Sequence, residues 1–446
     1  MNPALETLFP LSSPITPAAP ESLRADFPKI PAKPAVYLLS TATGSNDNHP
    51  VLLATVGDLR AALKRRLADS PPDAKTKRVP YGTLCTRVHF RIVHSALAAN
   101  FYYAQAAHRL FPQTAPALIP WHTSWWLAVE RPGPASNPFP RFRKISTLTD
   151  PSLAYAGPIR DKHAAQRLVE CLEDLFDLCR YHHILIQAPR GKACAYKEMG
   201  KCPAPCDGTV SLHSYREQIN AALAFLTNTQ SHQAPGSGGG VTSSPLLCVQ
   251  SPRAAWRQQL EQQMQSAAAA LHFETAAKIK QRLARAALLD TGPFASIGRL
   301  EDFAFLTLQP GKGRPWIEPW LIHFGESESG AIENPLRPLP QFNKQQLPAA
   351  AEQLAGQCRD LLQNTVTACL TADQTRHAAL VAYHLFKGDA DHGVWLRLAA
   401  AREPTAISQA AENLYARKAH KPLAEQSTDA TPESGDSGEP AVAGDV

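Results

Sequence analysis

Three cysteines fall within the thirteen residues of "CAYKEMGKCPAPC", Cys194 to Cys206. Seven and three residues separate them, and fourteen more lie between Cys179 and Cys194. Pro203 and Pro205 stiffen the turn between the last two. Four thiolates complete a tetrahedral zinc site or hold an iron–sulfur cluster. The spacing is not that of a zinc ribbon, which wants two close pairs. A plainer reading is a reduced, partly buried cysteine trio in a tight Pro-rich corner, and spacing alone leaves both open.

The compartment bears on that choice. The opening "MNPALETLFPLSSPITPAAPESLRADFPKI" has no basic region followed by an apolar run, so no secretory signal is expected. No apolar run approaches the ~18 residues of a membrane span. The expected location is the cytoplasm, where nine cysteines are thiols or metal ligands rather than disulfides. The formal charge is +6, and the stretch from Glu425 to Val446 holds acids but no Lys or Arg. The body ahead of it is therefore more basic than the total, a balance that suits a polyanion or simply a solvated surface.

Along the chain, residues 1–28 are Pro-rich and read as an irregular lead-in. Pro34–Ser40 and Pro50–Gly57 read as buried strands joined by turn chemistry. Asp58 caps a helix, "DLRAALKRRLAD", with a basic outer face. Arg87–Val93 is a further strand and Ala96–Leu110 a helix, so the first 120 residues read as a small α/β unit. Trp125–Glu130 and Arg141–Ile145 predict a second hairpin. The amphipathic "DKHAAQRLVECLEDLFDLCR", the cysteine segment and a helix over Tyr215–Leu226 follow. Residues 227–251, with "APGSGGG", have linker composition. Ala254–Leu289 is helical, as one stretch or a hairpin. Two strands around a Gly/Pro turn open a region at 300–402 with two or three helices, and 403–446 reads as a disordered tail. The fold class is a multidomain α+β protein.

The residues around the cysteines narrow this further. "CAYKEMGKCPAPCDGTVSLHSYREQINAALAFL" resembles the middle region of the UvrC family, the incision subunit of bacterial nucleotide-excision repair. Cys194, Tyr196, Gly200, Cys202, Pro205, Cys206, Gly208, Tyr215 and Phe225 fall on that family's pattern, and Tyr155, Gly157 and Pro158 match its upstream stretch. The resemblance implies an iron–sulfur cluster on Cys179, Cys194, Cys202 and Cys206, with zinc as the alternative. Cys179 sits about two residues early, and Cys171, about two helical turns before it, is the substitute. The middle region then covers 121–226.

A second marker follows in the family's order. "LEQQMQSAAAALHFETAAKIKQRL" repeats apolar residues at three and four, the seam of two packed helices or the inner stripe of a surface helix. Its "LHFETAAKI" core is similar to the UVR motif, through which UvrC contacts the helicase subunit UvrB. The resemblance implies a partner face at Leu260, Met264, Leu271, Phe273, Glu274 and Ala277 within 252–290. Lys280 and Gln281 replace the usual Arg-Asp.

The same resemblance implies a GIY-YIG nuclease domain at 30–120, in which a carboxylate-held magnesium ion, tyrosines and an arginine act on phosphate. Tyr37 and Arg60 match as remnants. Ala35 stands for a Gly and Thr55 for the second Tyr. No Asp or Glu occurs between Asp73 and Glu130, and Asn100 or Gln105 takes the place of the metal-binding Glu. Asp47, Asp58 and Glu130 are the other carboxylates in view. The expectation is a retained fold without cleavage, magnesium being needed only if the site works. Arg60, Lys64, Arg65, Lys75, Lys77, Arg78, Arg87 and Arg91 are the expected DNA contacts. The region at 300–402 matches the family's RNase H-like domain in position and hairpin pattern only, with Asp389, Asp391 and His392 as an acid/His cluster or an ordinary loop.

The leading reading is a UvrC-like repair protein that binds DNA and a UvrB-like partner, with its N-terminal nuclease lost. The alternatives are an active metal-dependent endonuclease, and a metal-cluster interaction module without DNA.

Overall fold

A computed structural model describes residues 3–15, 29–42, 48–67, 79–131, 140–226, 252–290, 294, 296–324, 326–327, 330–331, 334–364, 369–387, 393–416 and 426–427. The chain divides into two compact units, the first holding the residues up to Pro120, the second Trp121–Gln309 and Pro315–Arg417.

In the first unit, the alternating apolar runs form strands β2 (Ala35–Ala42) and β3 (Asn48–Val56), an antiparallel hairpin with Tyr37 opposite Ala54. Strand β4 (Arg87–Ile92) pairs with the other edge of β2, placing Phe90 beside Tyr37. The lead-in is not irregular throughout. Helix α1 (Pro3–Leu8) and strand β1 (Leu11–Pro14) are ordered, and β1 extends the sheet along β4. Gln426–Ser427 pairs with the outer edge of β3, within the expected tail. Helix α2 (Leu59–Leu67) is capped by Asp58, whose Oδ1 accepts the Ala61 N–H at 3.0 Å. Its Leu59, Ala62, Leu63 and Leu67 meet Ala35, Tyr37, Leu39, Leu52, Ala54 and Val88 in one core. Helix α3 (Ala96–Leu110), capped by Ser95, packs on β2 and β3.

The second unit opens with strands β5 (Trp125–Glu130), β6 (Arg143–Ile145) and β7 (Leu153–Ile159), the first two forming the predicted hairpin. Strand β7 is buried along its whole length between β5 and β8 (Gly298–Arg299). It carries Pro158 in a sheet interior, where the missing N–H falls at an irregularity of the β5 pairing. A Cβ on Gly157 would stand 2.6 Å from the Trp126 ring, so only glycine admits that indole. Helix α4 (Lys162–Leu175), capped by Asp161, lays Leu168, Leu172 and Leu175 on this sheet. Helix α5 (Leu212–Leu226) then joins the same core. The predicted linker at 227–251 lies outside the described residues.

Helices α6 (Pro252–Ala269) and α7 (Phe273–Ala287) resolve the choice between one long helix and a hairpin: the chain reverses at 270–272, with Leu271 at φ 62°. Beyond them, β9 (Phe305–Pro310), β10 (Ile317–Ile322), β11 (Leu336–Pro338) and β12 (Val394–Arg397) make a four-stranded sheet in the order β11-β10-β9-β12. Helices α8 (Leu347–Asn364) and α9 (Ala372–Lys387) belong to this region. So does a helix the tail assignment missed, α10 (Pro404–Ala416), whose Ile407, Ala410, Ala411 and Leu414 pack on Leu354 and Cys358 of α8. Those four residues have helical spacing, so the boundary at 402 was drawn one helix too early. Asp389, Asp391 and His392 lie outside the described residues.

Candidate functional site

The cysteine corner is built by backbone reversals. Asp177 takes a left-handed φ of 51° after α4 ends, turning Cys179 inward, and Gly200, Ala204 and Gly208 are left-handed in turn. The Gly191 N–H donates to the Cys206 carbonyl at 2.8 Å, closing the far side of the loop. Beneath it, the Tyr215 hydroxyl accepts the Cys179 N–H at 3.4 Å. Asp207, outside the corner, takes hydrogen bonds from Lys197 and Thr209, which hold its carboxyl down at about 2.

Cys179, Cys202 and Cys206 are buried and Cys194 is half-buried, and none is in a disulfide. The Cys179 and Cys202 thiols share a hydrogen bond, which raises Cys179, helped by its burial, and lowers Cys202, so Cys202 is the first to ionise. Burial raises Cys206, which also feels Cys202 and Cys194. Cys171 faces elsewhere, beside Arg285 and Asp174, and burial pushes its thiol to about 11. Cys179, not Cys171, is thus the cysteine joined to Cys202. Among the described residues, no group of three or more His, Cys, Asp or Glu side chains is arranged to hold a metal ion. The four cysteines offer only sulfur, the donor type of zinc and iron–sulfur sites, so the residue chemistry suits such a group while their arrangement here does not form one.

On the outside of this corner runs a ladder of rings. The Arg180 guanidinium lies 4.5 Å from the centre of the Tyr196 ring. Tyr196 and Tyr181 are 5.7 Å apart, and Tyr181 and His183 5.6 Å. Arg180 also donates to the Lys201 carbonyl at 3.2 Å and is paired with Asp174. Arg285 of α7 pairs with that same carboxylate, and its neighbour Arg282 reaches Asp177 and the Leu175 carbonyl. Two helical elements thus meet on one acid.

The hairpin's base is fastened by Trp256, whose ring meets Phe225 at 4.9 Å and Phe176 at 5.6 Å. Buried Arg253 donates to the carbonyls of Phe225 (3.1 Å) and Leu289 (3.3 Å). The tip differs: Leu271 is 72% and Phe273 65% exposed, with Glu274 and Ala277 exposed beside them. Met264 is half-buried. Leu260, at 6% exposed, faces inward and is corrected from the partner face to the hairpin's own packing. Sequence reading also missed Arg180, Tyr181, Asp174 and Trp256. None sits in a spacing pattern, and only their three-dimensional neighbours single them out.

In the first unit, Tyr37 is wholly buried in the core, and Arg60 donates through Nε to the Ile30 carbonyl at 2.7 Å. Asn100 is buried and Gln105 half-buried. Arg91 is turned to the inside, donating to the Leu8 (2.7 Å) and Thr7 (2.6 Å) carbonyls over the Tyr102 ring. Arg87 reaches the Ser12 hydroxyl at 3.4 Å. Lys64 and Arg65 are exposed on α2, while Lys75, Lys77 and Arg78 lie outside the described residues.

The family model for the UvrC/Cho excinuclease middle domain matches residues 125–225, and that for the UvrB/uvrC motif matches 257–286. Proteins named UvrABC system protein C are similar to the chain. That of Moorella thermoacetica is 27% identical over 145 residues, 32% of this chain and 20% of its own length. That of Trichlorobacter lovleyi is 23% identical over 263 residues (58% and 38%), and that of Halobacterium salinarum 29% over 143 (32% and 20%). In these matches the chain spans between a fifth and two fifths of each relative. No solved structure matches. The chain thus carries the middle domain and the motif of the UvrC family one after the other, as the resemblance in the residues implied.

Proposed function

We propose that the chain is a nucleotide-excision-repair protein that binds DNA and docks a UvrB-like partner on its helical hairpin, without a working nuclease in its first unit. The observation that carries the partner is the contrast within the hairpin: a base locked by Trp256 and Arg253, and a tip that leaves Leu271 and Phe273 in water. Apolar side chains held out on a fixed base are the anchors a partner surface buries.

Two features support the loss of cleavage. The stretch between Asp73 and Glu130 offers no carboxylate to a hard cation. Tyr37 and Arg60, the remnants of the nuclease pattern, are engaged in the core and on a backbone carbonyl. Lys64 and Arg65 remain outward and are the proposed phosphate contacts of this unit. In the middle region, Cys179, Cys194, Cys202 and Cys206 would hold an iron–sulfur cluster, or zinc in its stead, as a structural staple.

The test is titration of the protein with a UvrB-like helicase subunit, and with lesion-bearing duplex plus magnesium. Leu271→Ser with Phe273→Ser should weaken the partner complex at least tenfold, by roughly 2 kcal/mol, while leaving the fold intact. Undiminished partner affinity would remove the hairpin tip from the interface. Nicking lost in Tyr37→Phe and Arg60→Ala would establish an active endonuclease instead.

A further inference from the structure

The ladder on the cysteine corner has a chemistry that neither the thiols nor the hairpin uses. Tyr181 is 41% exposed, and Met199, three residues beyond Tyr196, is 58% exposed. The Tyr181 ring is carried on a pinned backbone: its carbonyl accepts the Ile184 and Leu185 N–H groups at 3.1 and 3.0 Å. Tyr196 lies against the ring, Arg180 lies over Tyr196, and Arg180 is itself anchored on Asp174. An exposed ring normally loses freedom when something stacks on it, and this one has lost much of it already.

The charge around it leans positive, even though Arg180 is paired with Asp174 and Lys197 with Asp207. From Arg180 to Cys206 the chain holds Arg180, Arg190, Lys192, Lys197 and Lys201 against a single acid, Glu198. Lys201 is fixed next to the ladder, its N–H on the Tyr196 carbonyl at 2.9 Å and its own carbonyl on Arg180. Rings backed by a guanidinium and flanked by lysines match a polyanion whose bases are unstacked: bases lie on rings, phosphates on lysines. A fully paired duplex keeps its base faces covered and gains only the phosphate term.

We infer that Arg180, Tyr196, Tyr181 and His183 form a stacking platform for unpaired DNA bases, with Lys201 taking the adjoining phosphate. The inference rests on the DNA-binding reading above and adds to it which form of DNA the second unit prefers.

The experiment measures binding of the full chain to a labelled duplex with a central unpaired bubble and to the same duplex fully paired. Wild type should prefer the bubble. Tyr181→Ala should lose roughly tenfold on the bubble and little on the paired duplex, with an unchanged melting curve, and Tyr181→Phe should keep the preference. Lys201→Glu should weaken the bubble complex and flatten its salt dependence. Equal binding of the two duplexes, unaltered in Tyr181→Ala, would overturn the platform and leave DNA binding standing. Binding to neither would overturn both. Tighter competition by oligouridine than by oligothymidine would overturn the assignment to DNA.

Discussion

The two units treat the same residue types in opposite ways. In the first, the remnant residues and an expected DNA contact are drawn inward: Tyr37 fills the core, Arg60 serves the Ile30 carbonyl, and Arg91 ties down Leu8 and Thr7. In the second, tyrosine and arginine are drawn together and held out, with Arg180 under Tyr196 and Tyr181 in water. A motif remnant is thus no guide to a site until it is known what each side chain already holds. An arginine already holding a backbone carbonyl has fewer of its five N–H donors, and less freedom to swing, for meeting a phosphate.

The largest effect that tests this contrast is in the first core. Tyr37→Ala should cost about 3–5 kcal/mol in denaturant unfolding, the range for deleting a buried aromatic ring, whereas Tyr37→Phe should stay within about 1 kcal/mol. A Tyr37→Ala chain of undiminished stability that loses a DNA-directed activity would reverse the assignment and make Tyr37 a site residue after all.

Next in size is a pH effect confined to the same unit. His89 on β4 is buried with its Nε2 unpartnered, and burial, helped by Arg87, lowers it to about 4 from 6.5. A depressed imidazole binds fewer protons folded than unfolded, so stability rises with pH. The contribution is complete above about 6.5 and is lost as pH falls toward 4. Between pH 7 and 5 the unit should lose about 2 kcal/mol, seen as a falling urea midpoint. His89→Phe should flatten that dependence, and an equally steep one in the variant would shift the cause elsewhere.

Much of the fold was legible because local rules and tertiary packing agree. Alternation marked β2 and β3, Asp58 marked a helix start, and the hairpin of β5 and β6 was read from its two strand runs. Where they part, reading failed. Strand β1, "LSSP", has no pattern and exists because β4 offers an open edge. Helix α10 did have its pattern, but its neighbours' polar composition outweighed four apolar residues. The cysteines were legible as a group, since their spacing is covalent information. The pairing of Cys179 with Cys202, and the turning away of Cys171 toward Asp174, depend on where α4 ends and how Asp177 bends the chain. Leu260 and Met264 carry the same periodicity as Leu271, yet one end of a hairpin is covered by its own protein and the other is not. Periodicity finds a stripe without saying what covers it.

The smallest effect probes the acid that the ring ladder and the hairpin share. Asp174 accepts both Arg180, which supports Tyr196, and Arg285, which fastens α7. Each pair reaches the surface, and the Arg285 side chain is 48% exposed, so water screens much of the attraction. Asp174→Asn keeps the shape and removes the charge, and should cost only about 1 kcal/mol in global stability. The local consequence should be more visible. With both guanidiniums released, amide exchange should quicken in the hairpin and in the turn that presents Tyr181, and in neither strand of β2 and β3. Faster exchange in the hairpin alone would mean that Arg180 stays seated on Tyr196 and the Lys201 carbonyl without its acid. The ladder would then be independent of the hairpin. Faster exchange in both would make Asp174 the residue through which a partner on the hairpin tip can alter how the rings are held.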